Sequence, residues 1–470
     1  MKIIADLHIH SKYSRACSLD LVLEKIDQTC QTKGVNVVGT GDFTHPEWFK
    51  EMKEKLVERE NGLYVIKSEI RNPKFETNLK LKIQNKEEIP RLRSATLGMT
   101  NEGAGMAGQT RFICSAEISC IYSKGGKCRR LHIVVLAPNL GTVEKINLAL
   151  GKIGNLKSDG RPILGLDAKE LVRIVLEIDE RCMIIPAHIW TPWFAMFGSK
   201  SGFDSIEECF EELSDKIFSI ETGLSSDPPM NWRIKNLDKV SIVSNSDAHS
   251  LPNIGREANV FEINYTRAGI KPAPTGNEWD KISYDTICEI IKNKNPKNFL
   301  YTIEFYPEEG MYHIDGHRVC NFSCLPKESK KIKNICPVCK KPLVIGVLNR
   351  VEELAEKDRK ENYVDNKRLP YKKLVGLDKI IAEALGIKSR TSKQVQKEYT
   401  NLIENFGNEF NILLNVDVVD LQKKSLSEIA EGIRRMRAGE LFVQPGFDGQ
   451  YGVVKIFSEK ERKKYQEKLF

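Results

Sequence analysis

Short apolar runs that end in His, Asp or Glu recur along the first half of the chain, and they constrain its fold more than any other feature. The first run spans residues 2–10, in which Asp6, His8 and His10 alternate with apolar residues. Alternation at spacing two places the three polar side chains on one face of a strand. Later apolar runs end at or beside Asp42, Glu117, His132, His188, Glu221 and Asp247.

The segments between these runs indicate how the strands are connected. Helical patterns at Asp167–Glu180 and Ser205–Leu213 alternate with the strands, and such alternation predicts a parallel sheet, most simply a barrel. Active groups of such barrels lie at the carboxyl ends of the strands, where this chain has its His, Asp and Glu residues. We therefore assign residues 1–282 to an α/β barrel, with a polar insertion at about 71–110.

The polar residues at the strand ends form a candidate metal site. Six of the eight histidines lie in the first 250 residues, and a mixed imidazole and carboxylate set suits Zn, Mn or Fe rather than a thiolate site. Alone, each histidine would more often be structural or solvated; their recurrence favours metal. Eight candidates are too many for one ion, so two or three divalent ions are expected: His8, His10, Asp42, Glu117, His132, His188, Asp247 and His249.

A second metal signal follows the barrel. Cys320, Cys324, Cys336 and Cys339 form two closely spaced pairs, and four thiolates at this spacing can hold one Zn tetrahedrally. We expect His313 and His317, just upstream, not to be ligands unless one cysteine is unbound. Residues 283–350 are thus predicted to form a linker strand and a structural four-cysteine zinc finger.

The net charge of +8 is concentrated around this finger. Residues 318–373 contain 15 Lys and Arg against 7 Asp and Glu. Such a block suits a polyanion, although a solvated helix face would look similar. The lysines predicted to contact DNA phosphates are Lys327, Lys330, Lys331, Lys333, Lys340 and Lys341. Residues 351–470 are predicted to form a helical basic domain ending in a β-hairpin that turns at Asp448-Gly449.

Aromatic residues follow His188 directly. Trp190, Trp193 and Phe194 lie on a loop at the expected mouth of the barrel. Packing between loops is the ordinary explanation for each of them taken alone. Together they can form a pocket that stacks a base taken out of the DNA helix.

These residues carry a family resemblance. The segments Asp6–His10 and Asn245–His249, with Glu117, His132 and His188, resemble the motifs of the PHP (polymerase and histidinol phosphatase) superfamily. The resemblance implies a distorted (β/α)7 barrel with a multinuclear metal site that cuts phosphoesters. The usual Thr-Asp-His motif is replaced by Thr40-Gly-Asp-Phe43. It stays open whether Asp42 or His45 compensates or one metal is absent.

A narrower resemblance covers nearly the whole chain. The segments Gly41–Trp48, Pro186–Trp193 and Glu304–Arg318, with the four-cysteine finger, resemble the endonuclease Q family. It implies a DNA repair nuclease that cuts duplex DNA 5′ to deaminated bases (uracil, hypoxanthine, xanthine) or abasic sites. It also implies Zn in the finger and two or three ions, Zn or else Mn or Mg, at the barrel site. The residues expected to act in catalysis are His8, His10, Asp42, Glu117, His188, Asp247 and His249.

Two alternatives are left open. A small-molecule phosphatase of the PHP type would use the same metals without needing the finger, and a non-catalytic DNA-binding or helicase-associated module would have a degenerate barrel at Phe43. With no run of eighteen apolar residues, we expect no membrane contact and a cytoplasmic protein. Residues 465–470 are similar in part to a sliding-clamp-binding peptide but lack its aromatic pair.

Overall fold

The structure is a computed structural model and describes residues 1–67, 110–263, 282–365, 367–458 and 461. The predicted insertion at 71–110 falls almost entirely outside these residues, and so does the clamp-like segment 465–470. The described strands are β1 Lys2–Asp6, β2 Val37–Gly39, β3 Leu56–Glu60, β4 Leu63–Ile66, β5 Arg111–Lys124, β6 Lys127–Ala137, β7 Ile163–Leu164, β8 Met183–Pro186, β9 Ser219–Glu221, β10 Ser241–Val243, β11 Ala258–Glu262, β12 Phe299–Glu304, β13 Asp315–His317, β14 Phe322–Cys324, β15 Tyr371–Lys373, β16 Phe442–Gln444 and β17 Val453–Lys455.

The first half of the chain forms a mixed sheet rather than an all-parallel one. Strand β1 pairs in parallel with β2, and β2 in parallel with β5. The long β5–β6 hairpin is antiparallel, and β6 pairs antiparallel with β8. Strands β9 and β10 are parallel. A connection of only two residues between β5 and β6 allows no crossover helix, so this pair must be antiparallel.

Single contacts link the remaining neighbours of the sheet. Ile189, just after β8, donates its backbone N–H to the Glu221 carbonyl of β9. Ile9, just after β1, forms an isolated parallel bridge with Ala248, which follows β10. These contacts place β9 beside the end of β8, and the segment after β10 beside the segment after β1. Strands β1, β2, β5 and β8 run in the same direction, so their carboxyl ends point to the same side of the sheet.

The helices pack against the sheet or form the C-terminal domain. Their bounds are α1 Leu23–Lys33, α2 Pro46–Lys55, α3 Leu140–Leu150, α4 Ala168–Ile178, α5 Ile206–Phe210, α6 Pro228–Trp232, α7 Tyr284–Asn293, α8 Pro326–Lys331, α9 Val347–Leu354, α10 Leu377–Ala384, α11 Lys393–Phe406, α12 Glu409–Leu414, α13 Val418–Lys424 and α14 Ser427–Ala438. Helix α1 buries Leu23, Ile26 and Cys30, a helical spacing, and ends at Gly34 with φ +87°. No helix in the described part of the chain is long and apolar enough to cross a membrane.

Strand β12 lies in the segment predicted to be a linker. It pairs with β11 and with β15, so the central sheet extends past residue 282 as far as Lys373. Phe299 and Ile303 of this strand are fully buried. Helix α9 ends at Leu354, and the next helix, α10, begins at Leu377.

The predicted hairpin is present near the end of the chain. Strands β16 and β17 are antiparallel, and the turn at its tip has Asp448 at φ +44° and Gly449 at φ +80°. Two consecutive positive φ angles are the signature of a type I′ turn, which Asp-Gly favours.

Candidate metal centre

Glu117 lies at the middle of the predicted site. It is buried on β5, and its Oε1 is 2.7 Å from His132 Nδ1 and 2.9 Å from His188 Nε2. Its Oε2 is 3.4 Å from His10 Nε2 and 3.8 Å from His8 Nε2. The two carboxylate oxygens of one residue thus face two different pairs of imidazoles.

Two groups of metal-ligating atoms result. His8, His10, Glu117 and Asp247 form the first group, and Glu117, His132 and His188 form the second; in each, the ligand atoms lie within 4.8 Å of one another. Asp247 Oδ1 is 2.9 Å from His10 Nε2 and 3.7 Å from His8 Nε2. This arrangement suits two cations that share the Glu117 carboxylate.

One buried atom supports a metal ion in the first group. His8 Nε2 has no hydrogen-bond partner among the described residues, although it faces two carboxylates. A buried polar atom without a partner costs free energy, and a bound cation removes that cost. Imidazole with carboxylate is the donor set that Zn and Mn accept.

Two further carboxylates orient the imidazoles of His8 and His10, which follow β1. Glu221 Oε1 lies 3.0 Å from His8 Nδ1 and also accepts from Asn245 Nδ2, while Glu221 Oε2 accepts from the His188 backbone N–H at 2.9 Å. Asp42 Oδ1 lies 3.0 Å from His10 Nδ1. A carboxylate on Nδ1 fixes the tautomer and leaves Nε2 to face the cation.

The titration behaviour of the site follows from burial and charge. Burial lowers the pKa of His132 to about 4, so this imidazole is neutral at neutral pH. Burial also opposes protonation of His8, but Glu221 and Glu117 outweigh it and hold the pKa of His8 well above its usual value. Burial alone would raise the pKa of Glu117, yet the facing histidines hold it well below its usual range. The carboxylates therefore remain ionised, and the site attracts cations.

Strained backbone positions surround the site. Asp42 and Asp247 have φ +46° and His188 has φ +30°, a region that residues with a Cβ rarely adopt. Asp6 holds the loop that carries Asp247, because its carboxylate accepts from the backbone N–H groups of Ser246 and Gly255. Such strain persists only where the surrounding contacts enforce it, and it is typical of functional sites.

The cysteine cluster differs from the four-cysteine prediction. His317 joins Cys320, Cys336 and Cys339 in one group of metal-ligating atoms, and Cys324 lies outside it. In the β13–β14 hairpin, Cys324 pairs with Asp315, whereas His317 pairs with Phe322 at the end next to Cys320. Hairpin geometry therefore brings the imidazole, rather than the fourth thiol, to the cluster. The donor set of three Cys and one His still suits structural Zn.

Comparisons with known proteins identify similar sequences. Residues 376–440 match the family described as the MJ0043 C-terminal domain. The chain is 34% identical over 274 residues to the uncharacterized protein MJ0043 of Methanocaldococcus jannaschii, a match that covers 58% of this chain but only 32% of that protein. It is 25% identical to the uncharacterized protein YqxK of Bacillus subtilis, covering 97% of this chain and 99% of YqxK.

Solved structures match over nearly the full length. The lesion-specific endonuclease PfuEndoQ from Pyrococcus furiosus superimposes with a TM-score of 0.76 at 26% identity, covering 98% of this chain and 96% of that one. The chain is therefore similar to endonuclease Q over nearly its full length. An endonuclease Q in complex with a 27-mer duplex substrate, with an abasic lesion at its active site, gives a TM-score of 0.75 at 26% identity, covering 98% of each chain.

Three of the predicted metal ligands lie outside both groups of metal-ligating atoms. Asp42 instead accepts from Ser11 and Ser14 and orients His10, so its position is that of an orienting carboxylate. His45 precedes α2 and stacks on the Tyr13 ring at 4.3 Å, away from the other imidazoles. His249 stands beside the first group, its ring centroid 4.6 Å from that of His10. Phe43, in the motif's His slot, is fully buried in the core.

Two residues at the site were missed as functional candidates. Glu221 ends a predicted strand, so the same signal that marked the other ligands was present. Arg161 Nη1 donates to Glu117 Oε2 at 3.1 Å and brings a cation to the edge of the site. Arg161 lies in a loop before the short strand β7, where no sequence pattern marks it.

The aromatic residues after His188 separate into two kinds. Trp190 is fully buried and donates Nε1–H to Asn231, so its predicted role in stacking DNA bases is not supported by its placement. Trp193 is 45% exposed. Phe194 packs on the His132 ring at 4.8 Å. Packing explains Trp190, whereas Trp193 is available to a ligand.

Replacement of Glu221 tests the orienting role. We expect Glu221→Ala to weaken binding of Mn²⁺ about 10–100-fold, because His8 loses the acceptor that fixes its tautomer. Isothermal titration with Mn²⁺ measures this, with circular dichroism to verify folding. The control is Glu212→Ala, an exposed carboxylate elsewhere in the same half of the chain. Equal Mn²⁺ affinity in the two variants would contradict the prediction.

Proposed function

We propose that this chain is a metal-dependent DNA repair endonuclease that cuts the phosphodiester 5′ to a deaminated base or an abasic site in duplex DNA. The observation that carries the proposal is the pair of ligand groups that share Glu117 in a chain matching endonuclease Q over 98% of its length. We also propose that β1, β2, β5, β6, β8, β9 and β10 follow one another around the distorted PHP-type barrel.

The bound ions and the residues of the site have different roles in the proposed reaction. Bound divalent ions lower the pKa of water from about 15.7 to near 7 and neutralise charge on the phosphodiester. His8, His10, His132, His188, Glu117 and Asp247 hold the ions. His249 lies at the open edge, and burial lowers its pKa, so the neutral imidazole can take a proton from an incoming water.

The surface beyond the site suits a polyanion. The six lysines predicted to bind phosphates are all exposed around the His317 cluster. Trp193 offers an exposed indole on the loop that begins at His188. Extruding a mispaired deaminated base costs less than extruding a paired one, and an aromatic face stabilises the extruded base.

One experiment distinguishes the three candidate functions. Purified protein with Mn²⁺ is incubated with matched duplexes that contain uracil, an abasic site or no lesion, and separately with a small phosphomonoester. Lesion-dependent cutting that leaves a 3′-hydroxyl supports the proposal. Release of phosphate from the monoester alone indicates a small-molecule phosphatase. Binding of duplex without cutting under any divalent ion indicates a non-catalytic module.

Removal of the finger lysines tests the DNA-binding surface. We expect the triple replacement of Lys330, Lys331 and Lys333 by Ala to weaken binding equally on every DNA sequence and to flatten the salt dependence by up to about 0.9 per lost phosphate contact. Fluorescence anisotropy at several salt concentrations measures both effects. The control replaces Lys50, Lys53 and Lys152, exposed lysines of the barrel half. An unchanged salt slope would count against this surface.

A further inference from the structure

A cavity of about 530 Å³ lies between the barrel half and the C-terminal helices. The barrel side contributes Lys33 and Arg256, and the helical side contributes Lys379, Lys388 and Arg390. Its size is that of a small-molecule site, and such sites occur preferentially at domain interfaces. The cavity is separate from the two ligand groups around Glu117.

The carboxylates that line this cavity are already engaged. Glu409 Oε2 is 3.3 Å from Lys33 Nζ, and Glu309 Oε1 is 2.6 Å from Lys379 Nζ. Glu383 accepts from the Ile456 backbone N–H. Lys33 and Lys379 therefore offset the charges of Glu409 and Glu309, whereas the backbone hydrogen bond leaves the charge of Glu383 in place.

Three further cations line the cavity, of which Arg390 pairs with Asp378, itself a lining residue. Arg256 donates Nε–H to the Ser246 carbonyl and Nη2–H to the Asp247 carbonyl, and it has no ion pair with any carboxylate of the described residues. Lys388 is exposed and has no ion-pair partner within the same described ranges. Arg390 approaches Asp378 only at 3.6 Å.

Arg256 and Arg390 line this cavity from its two sides. Guanidinium groups bind phosphate oxygens through charge-assisted hydrogen bonds, often two at a time. An anion in the cavity would accept hydrogen bonds from these side chains.

We propose that this cavity binds a phosphate group, contacted by Arg256, Lys388 and Arg390. The phosphate belongs either to a free nucleotide or to the backbone of bound DNA, and the same side chains recognise both. The proposal does not depend on nuclease activity. Because Arg256 also holds the carbonyls of Ser246 and Asp247, the phosphate would contact the residue that supports the loop of the first ligand group.

The test uses the full chain without added divalent ions and three probes: inorganic phosphate, ATP and an unlesioned duplex. We expect Arg390→Ala to weaken binding of at least one probe by roughly 10-fold, the loss of a charge-assisted contact. The matched control is Arg434→Ala, whose partly exposed guanidinium pairs with Glu431 and Glu440 in the same domain. Lys388→Ala provides a second variant at an exposed position, in case Arg390→Ala fails to fold.

The outcomes separate the two sources of phosphate. Loss of ATP or phosphate affinity in Arg390→Ala with unchanged duplex affinity identifies a nucleotide site. Loss of duplex affinity, with ATP competing for the duplex, identifies a DNA backbone contact. If Arg390→Ala and Lys388→Ala bind all three probes as Arg434→Ala does, the proposal is overturned. Cutting of lesion duplexes is measured separately, so that failure here leaves the proposed function untouched.

Discussion

Glu117→Gln is expected to lower cutting of a uracil or abasic duplex by at least about 1000-fold, since activation of water by the metal ions would be lost. Both ligand groups contain this carboxylate, and within the described part of the chain no other residue belongs to both. The amide of Gln is nearly the same size as the carboxylate but carries no charge, so the two cations would lose the ligand that they share. Gel assays of cutting and anisotropy of duplex binding measure the two effects in the same preparation.

Duplex affinity should change less than about twofold in this variant, because the phosphate-binding lysines are unaltered. The control is Glu144→Gln, an exposed carboxylate on α3, which should cut as the parent chain does. If Glu117→Gln keeps a tenth of the parent cutting rate, the centre around Glu117 is not where the phosphodiester is cut. Loss of duplex binding together with cutting would instead indicate a structural role.

His317→Ala is expected to remove Zn from the cysteine cluster, whereas Cys324→Ser should retain it. Structural Zn contributes on the order of 10 kcal/mol to the folding of small zinc modules, so the effect on the segment around the cluster should be large. Atomic emission spectroscopy measures Zn per chain, and limited proteolysis measures the order of the module.

The matched control is Cys128→Ser, an exposed cysteine on β6 that lies outside the cluster. Cys336→Ser should behave as His317→Ala does. Loss of Zn in Cys324→Ser, together with retention of Zn in His317→Ala, would instead support the four-cysteine site.

The sequence predicted site residues and turns best where the pattern lies within a single short segment. The spacing of two between His8 and His10 and the apolar runs before Glu117, His188 and Asp247 marked residues that the structure brings together. The structure also confirms the turn at Asp448-Gly449, because its positive φ angles depend on local chemistry alone.

Roles that depend on contacts between distant segments could not be predicted. The function of Asp42 follows from His10, 32 positions earlier, and that of Glu221 from His8, 213 positions earlier. Cys324 and His317 were distinguishable only by the register of a hairpin. Whether Trp190 or Trp193 is buried depends on the segments that pack over their loop.

The sharing of Glu117 between the two ligand groups has a thermodynamic consequence. An ion in one group takes part of the charge on this carboxylate and thereby weakens the attraction that the other group exerts on a second ion. Occupancy of the two positions is then anticooperative, and a titration of the chain with metal would show two unequal steps. At low metal concentration, most molecules would hold one ion. The rate of cutting should therefore rise more steeply with metal concentration than binding of the first ion does.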